Sequence, residues 1–288
     1  MKILITGITG LIGKKLKIDL EKSGHQIIGV SRTNSDYSWD AINSKEFPVE
    51  ALKNIDVVIH LAGTPVAEKR WTEKIKSDIL KSRVDGTAQL IQAIKKIKES
   101  ERPQVFLAGS AIGYYGDQAE NEINESSKSG SDFLADVVFK WEKELIKAEN
   151  LGLRTVILRT GIVLAKEGGA LAKMPPVVIG DGQNQMSWIH IKDWILIAEA
   201  AIKDKKYSGI YNLTAPNPVS QKDFVKALAK AKGFPMTLWA PKIIIQTVLG
   251  ELSKVILTSQ KVIPQKLISE GFQFKFKQIE AALKDIYK

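Results

Sequence analysis

Short apolar runs alternate with amphipathic stretches over the first half of the chain. The amphipathic stretches, in which apolar residues recur every three or four positions, predict helices over Lys14–Lys22, Thr72–Lys98 and Asp132–Glu149. The apolar runs are rich in Ile, Val and Leu, and they predict β-strands over Lys2–Thr6, Gln26–Ser31, Asp56–Leu61, Gln104–Ala108 and Thr155–Leu158. Nearly continuous apolar strands that are separated by helices are typical of parallel sheets with both faces covered. The pattern therefore predicts an α/β fold with a doubly wound parallel sheet.

The regular alternation does not continue beyond the fifth predicted strand. The segment 166–187 is rich in Gly and Pro, and it is predicted to form a loop that contributes to a substrate cleft. Met186–Ile202 predicts a short strand followed by a helix, and Gln221–Lys232 predicts a helix that is capped by the serine before it. We therefore divide the chain into a larger α/β domain over 1–211 and a smaller C-terminal lobe over 212–288.

A glycine-rich turn connects the first predicted strand to the first predicted helix. Gly7, Gly10 and Gly13 follow that strand, and an amphipathic stretch begins at once. Such a unit directs backbone N–H groups and a helix N-terminus toward a pyrophosphate, so this domain is predicted to bind a dinucleotide. Gly7 permits a sharp turn, Gly10 permits close approach to phosphates, and Gly13 permits close packing of helix against strand. The predicted cofactor-binding residues of this turn are Gly7, Thr9, Gly10, Leu11, Ile12 and Gly13.

Composition excludes several classes of protein and of site. The chain has 288 residues, of which 44% are hydrophobic and 26% charged, as in globular proteins. No apolar run approaches the ~20 residues of a membrane-spanning helix, so no membrane partner is expected. The absence of cysteine excludes disulfides and thiolate nucleophiles, and the three histidines are widely separated, so no metal site is expected. We expect a cytoplasmic protein that is a monomer or a homodimer.

The net charge of +10 is of a size found in nucleic-acid-binding proteins. The excess comes mainly from lysines on predicted helical faces, as at Lys14, Lys15 and Lys17, and no RNA-binding motif or arginine-rich arm is present. We therefore interpret the charge as a solvated, lysine-rich surface that favours anionic small molecules. A nucleic-acid partner is not expected.

The end of the second predicted strand indicates which dinucleotide is bound. An acidic residue about 20 residues after the glycines would hydrogen-bond the 2′-hydroxyl of the adenosine ribose in NAD. Here the sequence reads Gly29-Val30-Ser31-Arg32-Thr33, without a carboxylate. Arg32 supplies a permanent charge and a planar fork of donors that suits a 2′-phosphate. The sequence therefore predicts NADP (NADPH) as the cofactor, with Ser31 and Arg32 at its adenosine ribose.

Two motifs in the first domain resemble those of a known superfamily. The motif TGxxGxxG, residues 6–13, resembles that of the extended short-chain dehydrogenases/reductases, which include nucleotide-sugar epimerases and dehydratases. The segment DVVIHLAG, residues 56–63, is similar to the DVVIHLAA segment of the same branch. The resemblance implies a Rossmann fold, and it implies that the end of the second motif borders the cofactor through Leu61, Ala62 and Gly63.

A further stretch carries the same resemblance. Residues 82–87, SRVDGT, are similar to the NVxGT stretch that lies beside the cofactor in the family. Arg83 stands where the family usually has asparagine. The resemblance implies that Arg83 also borders the cofactor.

The catalytic residues that are usual in this superfamily are not all present. Its members generally use a tyrosine with a lysine four residues later, together with a serine or threonine, and the lysine lowers the pKa of the tyrosine. None of the six tyrosines here has a lysine four positions later, and the expected stretch, residues 133–142, reads FLADVVFKWE. The usual SSxxxYG element is represented by GSAIGYYG, which places Ala111 at the working serine and Ser110 one residue earlier.

These departures occur together with segments that resemble a single subfamily. The segments GSAIGYYGD, FLADVVFKWEKE, GGALAKMPP and MSWIHIKD, with a C-terminal block that includes LTSQKVIPQKLISEGFQFKF, resemble the bacterial "epimerase family protein" group. The resemblance extends from residue 1 to about residue 286. The polar residues of these segments that we assign to catalysis are Ser110, Tyr115 and His190.

These observations favour an NADP(H)-binding protein of the epimerase, dehydratase or reductase type. Its substrate would be a nucleotide sugar or another small carbonyl or hydroxyl compound. The alternative is an NADP(H)-binding or sensor protein that catalyses no reaction, because the usual dyad is absent and fold alone does not fix function. Ligands of such sheets bind beyond the carboxyl ends of the strands, so we expect a cleft bordered by Ser110, Ala111, Tyr115 and Met174–Pro176, with His190 nearby.

Overall fold

A seven-stranded parallel sheet lies at the centre of the fold. The computed structural model describes residues 1–288, and its strands are β1 (Lys2–Thr6), β2 (Gln26–Ser31), β3 (Tyr37–Ser38), β4 (Val57–His60), β5 (Val105–Ala111), β6 (Glu122–Ile123), β7 (Arg154–Thr160), β8 (Ile162–Leu164), β9 (Val177–Ile179), β10 (Gln185–Met186), β11 (Trp188–His190), β12 (Gly209–Leu213), β13 (Val219–Ser220), β14 (Leu238–Ala240) and β15 (Lys261–Val262). The central sheet has the order β12-β7-β5-β4-β1-β2-β3, and every neighbouring pair in it is parallel. The order reverses between β1 and β4, which is where open α/β sheets bind their ligands.

Helices cover both faces of this sheet. The helices are α1 (Leu11–Lys22), α2 (Glu73–Lys95), α3 (Phe133–Leu145), α4 (Gly169–Lys173), α5 (Ile191–Lys203), α6 (Gln221–Ala231), α7 (Lys242–Leu249), α8 (Ser253–Leu257), α9 (Gln265–Ser269) and α10 (Ile279–Tyr287). One face packs against α1 and α5 through a core that includes Leu107 and Trp194. The other face packs against α2 and α3 through Phe106 and Trp141, because successive strand residues point to opposite faces. The predicted doubly wound parallel sheet is confirmed.

Most of the predicted elements are present, with small shifts of their ends. The strands β1 and β2 have the predicted bounds. The side chains of Thr72 and Asp132 accept hydrogen bonds from backbone N–H groups in the first turns of α2 and α3, so these helices begin one residue later than predicted. The segment 166–187 was predicted as a loop, whereas it contains α4, β9 and β10. Strand β9 is stabilised by pairing with β14, which lies about 60 residues later. The local sequence pattern therefore could not predict this strand.

The two predicted domains are interleaved. The predicted boundary between residues 211 and 212 lies inside β12, which is an edge strand of the central sheet. A separate core of 13 buried residues joins Trp188, from before that boundary, to Phe224 and Leu283 from after it. Thus β8, α4 and the strands up to β11 pack with the C-terminal lobe, while the first part of residues 212–288 completes the sheet.

The C-terminal segment returns to the loop that follows β5. Strand β15 pairs in parallel with β6. The Gln260 side-chain amide donates hydrogen bonds to the carbonyl groups of Ile112 and Gly116, at 3.0 and 2.9 Å. The Asn212 amide donates to the carbonyl of Ile263 at 3.0 Å, which connects the edge strand β12 to the same segment. Residues 259–263 therefore close the structure around the carboxyl ends of the strands.

Candidate functional site

The glycine-rich turn leaves no room for side chains at two positions. Gly7 has a φ of +71°, and a Cβ there would lie 2.9 Å from the backbone of Leu61 and Ala62, just beyond β4. A Cβ on Gly13 would overlap the Gly7 carbonyl. The turn, the start of α1 and the end of β4 are therefore in direct backbone contact, as a dinucleotide-binding loop requires.

The N-terminus of α1 can receive an anion. Gly10 precedes the helix, no side chain caps it, and the first turn contains no acidic residue. The first N–H groups of a helix have no acceptor within it, and the helix dipole favours negative charge at this end. A Cβ on Gly169 would lie 2.9 Å from the side chain of Leu11, so the segment 166–187 borders this end of the helix.

Arg32 follows β2 directly and is exposed. Its guanidinium forms no hydrogen bond or ion pair within the chain, and only its carbonyl is engaged, by the Ser38 hydroxyl at 3.1 Å. The buried Ser31 hydroxyl donates to the carbonyl of Thr33 at 2.5 Å, which shapes the turn. Asp36 is the carboxylate that the spacing argument missed, and it accepts a hydrogen bond from the Gly29 N–H at 2.6 Å. Arg32 is thus free to bind a phosphate.

A buried hydrogen-bond network fixes the end of β4. Thr6 Oγ1 accepts from the two backbone N–H groups after β4, each at 3.2 Å, so its own proton is donated to His60 Nδ1 at 2.7 Å. Burial lowers the pKa of His60 to about 4, so the ring is neutral. Its Nε2 proton is then donated to Thr87 Oγ1 at 3.1 Å, and the Trp141 indole donates to the same oxygen at 3.0 Å. His60 is a structural residue beneath the cofactor loop.

Arg83 brings a positive charge to the end of this segment. Its Nη1 donates to the carbonyl groups of Thr64 and Ile79, at 3.0 and 3.2 Å. A Cβ on Gly63 would lie 3.4 Å from the guanidinium carbon. Burial lowers the pKa of Arg83 to about 10, which still leaves it charged at neutral pH. Arg83 therefore lies beside the residues after β4 that are predicted to border the cofactor, Leu61, Ala62 and Gly63.

Ser110 and Tyr115 belong to one buried network around Arg159. The Ser110 hydroxyl donates to Glu142 Oε1 at 2.6 Å. Arg159 binds the same carboxylate through Nε at 2.8 Å and Nη2 at 2.6 Å, and its Nη1 donates to the Tyr115 hydroxyl at 2.9 Å. Tyr115 in turn donates to Asn212 Oδ1 at 2.7 Å. The network ties the carboxyl ends of β5, β7 and β12 to α3.

This network engages the two predicted catalytic hydroxyls. Tyr115 is fully buried and Ser110 is 5% exposed. Burial raises the pKa of Tyr115, in opposition to the nearby Arg159, so the hydroxyl stays protonated. The structure therefore brings the two residues together as supports of the strand ends. Glu142 and Arg159 were not identified from the sequence. The available signals were an arginine, Arg159, within the apolar strand TVILRT and an acidic residue, Glu142, on the buried face of α3.

Apolar side chains from the stretch in which the tyrosine–lysine pair is expected face the turn after β5. A Cβ on Gly113, in the turn after β5, would lie within 4.0 Å of both Leu134 and Val138 of α3. Residues four apart lie on one face of a helix, so these two side chains face the turn together. Neither can transfer a proton.

His190 makes packing and polar contacts with the C-terminal part of the chain, and its catalytic role stays a prediction. Its Nδ1 accepts from the Lys192 N–H at 3.1 Å, its Nε2 lies 3.3 Å from the Asp285 carboxylate, and its ring stacks on Phe276 with centroids 3.9 Å apart. None of these contacts involves the network around Arg159. The three predicted catalytic residues are therefore not brought together in one site.

The segment around His190 forms a socket, residues 187–193, for the C-terminal part of the chain. The Ser187 hydroxyl donates to the Gln260 carbonyl at 2.7 Å and accepts from the Val262 N–H at 2.8 Å. The buried Asp193 carboxylate accepts from the two backbone N–H groups of residues 275–276, at 2.8 and 2.9 Å. The MSWIHIKD segment and the C-terminal block, which resemble the same subfamily, are therefore in direct contact.

The free energy of unfolding is expected to fall as the pH decreases from about 6.5 to about 4. Burial lowers the pKa of His60 and of His190 from the ordinary 6.5 to about 4. Between these values the unfolded chain binds protons that the folded chain does not bind, so protonation favours unfolding, and the stabilisation is complete only above 6.5. Urea unfolding across this range measures the effect. A His190→Gln variant should show a smaller decrease, and an unchanged decrease would contradict the assignment.

Comparison with known proteins identifies the family. Residues 3–214 match the model of the NAD dependent epimerase/dehydratase family. The chain belongs to this family. Residues 240–286 match a domain of unknown function, DUF1731. An "epimerase family protein" of Staphylococcus aureus (strain N315) is 38% identical over 298 residues, which cover 99% of this chain and 98% of the relative.

Two further family members extend the comparison. The chloroplastic SDR39U1 homolog of Arabidopsis thaliana is 34% identical over 303 residues, covering 99% of this chain and 86% of that protein. The crystal structure of human SDR39U1 with NADPH has a TM-score of 0.86 and 29% identity, covering 100% of this chain and 99% of the human chain. The resemblance and the Rossmann fold predicted from sequence are thus confirmed, and NADPH in the human member is the cofactor that the sequence predicts here.

None of the helices of this family member combines the length and the apolar composition needed to cross a membrane. The longest, α2, carries eight charged residues among its 23 residues. The roles of the individual cofactor-binding and catalytic residues stay predictions.

Proposed function

We propose that the chain binds NADP(H) at the glycine-rich turn and uses it in a reductase- or epimerase-type reaction. The substrate would be a small molecule with a carbonyl or hydroxyl group. The observation that carries the proposal is the cradle formed by Gly7 and Gly13, which excludes side chains beside an uncapped helix N-terminus without acidic residues. Family membership and the NADPH in the human relative support the same conclusion.

The residues present fit NADP(H). The turn, with Thr9, Leu11 and Ile12, would hold the pyrophosphate through backbone N–H groups. Arg32 would bind the 2′-phosphate, and the charged Arg83 would add a positive potential beside Leu61–Gly63. When bound, NADPH supplies a hydride, and the substrate oxygen must then receive a proton. Ser110 and Tyr115 are two of the hydroxyls near the strand ends, and each would have to exchange a buried hydrogen bond to deliver that proton.

A non-catalytic NADP(H) sensor is the second candidate function. The observation that favours it is the pair Leu134 and Val138, which present hydrocarbon where the superfamily usually places a proton-transferring pair. Nicotinamide absorbance separates the two candidates. Oxidation of NADPH with any member of a panel of carbonyl compounds and nucleotide sugars supports an enzyme, while tight binding without any turnover supports a sensor.

Replacing Arg32 with Ala is expected to weaken NADPH binding about 10- to 150-fold while NADH binding is unchanged. The reason is the loss of a charged hydrogen bond to the 2′-phosphate, worth about 1.5–3 kcal/mol. Nicotinamide fluorescence titration with both nucleotides measures the change. Failure of the unaltered protein to bind either nucleotide would reject the proposal, whereas equal weakening of both would reject only the role of Arg32.

The location, the oligomeric state and the exact substrate stay predictions. We propose a cytoplasmic protein, although the name of the Arabidopsis relative places that protein in the chloroplast. A monomer or a homodimer is consistent with the proposed site, because every residue assigned to the cofactor comes from one chain.

A further inference from the structure

Helix α7 is largely apolar and contains no buried residue. Its sequence is KIIIQTVL. The exposed fractions of Ile243, Ile244 and Val248 are 65%, 51% and 64%. A continuous apolar surface of this kind is found where a protein binds a ligand or a partner. The position of α7 in the fold indicates which of the two it contacts.

The N-terminal end of α7 is fixed to the segment 166–187. Strand β14, directly before the helix, pairs in parallel with β9 of that segment. The Trp239 indole donates to the carbonyl of Gly180 at 2.6 Å, and the Lys242 ammonium lies 3.3 Å from the Asp181 carboxylate. The same segment borders the start of α1. One end of α7 is thus attached to one side of the predicted cleft.

The C-terminal end of α7 is fixed to the opposite side. Glu251, just after the helix, forms an ion pair of 2.5 Å with Lys76 in the first turn of α2. The Lys76 ammonium lies 5.7 Å from the ring centroid of Phe133, the first residue of α3. Phe133 packs edge-on against Trp71, with centroids 5.2 Å apart, and Leu134 follows it. The wall at this end therefore has an apolar part, formed by Trp71, Phe133 and Leu134, beside the ion pair of Lys76 with Glu251.

We propose that α7 spans the mouth of the cleft and that its apolar side chains contact a hydrocarbon part of the substrate. The substrate would then be a ketone, an aldehyde or an alcohol with an apolar portion of several carbons, and not a nucleotide sugar. A nucleotide diphosphate requires several free cations, whereas Lys242 and Lys76, at the two ends of α7, are each paired with a carboxylate. An unpaired cation that remains beside the helix is Arg70, whose side chain lies against Gly250. This inference rests on the proposed function, because it assigns the substrate class of the NADP(H) site.

Displacement of a fluorescent apolar probe tests the inference on the full-length chain. The protein, with and without saturating NADPH, is loaded with 1-anilinonaphthalene-8-sulfonate and titrated with straight-chain 2-ketones from 2-butanone to 2-decanone. The affinity of the ketone, measured by displacement of the probe, should increase about fourfold for each added methylene, as expected for transfer of hydrocarbon out of water. UDP-glucose should not displace the probe. Ile244→Ser should weaken 2-decanone binding at least about fivefold, since it removes an apolar side chain.

Ile18→Ser is the matched control, because Ile18 is exposed to a similar extent, 47%, on α1. That variant should bind 2-decanone as the unaltered protein does, and NADPH affinity should be unchanged in both variants. Displacement that does not depend on chain length, or preferential displacement by UDP-glucose, would overturn this inference while NADPH binding kept the proposed function intact. Conversion of a dimer to a monomer by Ile244→Ser would assign α7 to self-association and would also overturn it. Absence of NADPH binding would instead reject the proposed function.

Discussion

Replacing Arg159 with Met is expected to lower the free energy of unfolding by about 3–5 kcal/mol. The change leaves the carboxylate of Glu142, a residue that is only 4% exposed, buried without its cation. Arg159 makes two hydrogen bonds to that carboxylate and one to Tyr115, and all three are lost. Urea unfolding monitored by circular dichroism measures the change, and a variant that does not fold at all agrees with the same expectation.

Two companion variants distinguish an unpaired buried charge from a general loss of packing. The double change Arg159→Met and Glu142→Leu removes both charges and should recover most of the lost stability. Lys140→Met disrupts the ion pair of Lys140 with Asp136, which lies on the exposed face of the same helix, and should cost less than about 1 kcal/mol. If Arg159→Met were no more destabilising than Lys140→Met, the structural importance of the network would be rejected.

Replacing Gly7 with Ala is expected to weaken NADPH binding by about 100-fold or more, which corresponds to about 2.7 kcal/mol. The new Cβ would lie 2.9 Å from the backbone of Leu61 and Ala62, and a φ of +71° is strained for alanine. The turn must therefore shift, and its N–H groups would no longer point at one pyrophosphate position. Fluorescence titration of nicotinamide measures the affinity, and circular dichroism verifies that the variant is folded.

Gly24→Ala provides the matched control. Gly24 follows the other end of α1, has a similar φ of +79°, and has no atoms within 4 Å of the position of a Cβ. The substitution should therefore cost about 1 kcal/mol of stability through backbone strain and leave NADPH affinity unchanged. Equal losses of affinity in the Gly7 and Gly24 variants would show that the effect comes from general destabilisation and not from the cofactor loop.

The sheet and the cofactor loop could be predicted because the interactions that form them are local. Strand β1, the turn at Gly7 and helix α1 are consecutive, so one stretch of sequence contains the strand pattern, the glycines and the helix pattern. That position 32 carries an arginine and not a carboxylate is likewise visible in the sequence alone, whereas the hydrogen bond between Asp36 and Gly29 is not. The predicted fold and family were therefore confirmed. The close contact between Gly7 and the end of β4 joins residues that are distant in the sequence. The glycine at position 7 nevertheless indicated that another backbone segment lies nearby.

The surroundings of the residues assigned to catalysis could not be predicted in the same way, because their burial and their partners depend on residues that are distant in the sequence, and their catalytic roles stay predictions. His190 looked like a cleft residue, but Asp285 and Phe276, some 90 residues away in sequence, enclose its ring. Tyr115 and Ser110 follow a strand end, as catalytic residues do, but Arg159 and Glu142 occupy their hydroxyls. Motifs that recur as a set can indicate contact between segments as readily as shared chemistry.

The return of residues 259–263 to the loop after β5 has a consequence for the biosynthesis of the protein. The carbonyl of Ile112 leaves the ribosome 148 residues before the Gln260 amide that will bind it. At about 5–20 residues per second, this loop waits on the order of ten seconds for its partner. During this time the loop after β5 lacks its hydrogen-bond partners and is exposed to aggregation. A chain whose translation stops before residue 259 would lack these partners permanently, and we expect it to be degraded by proteases.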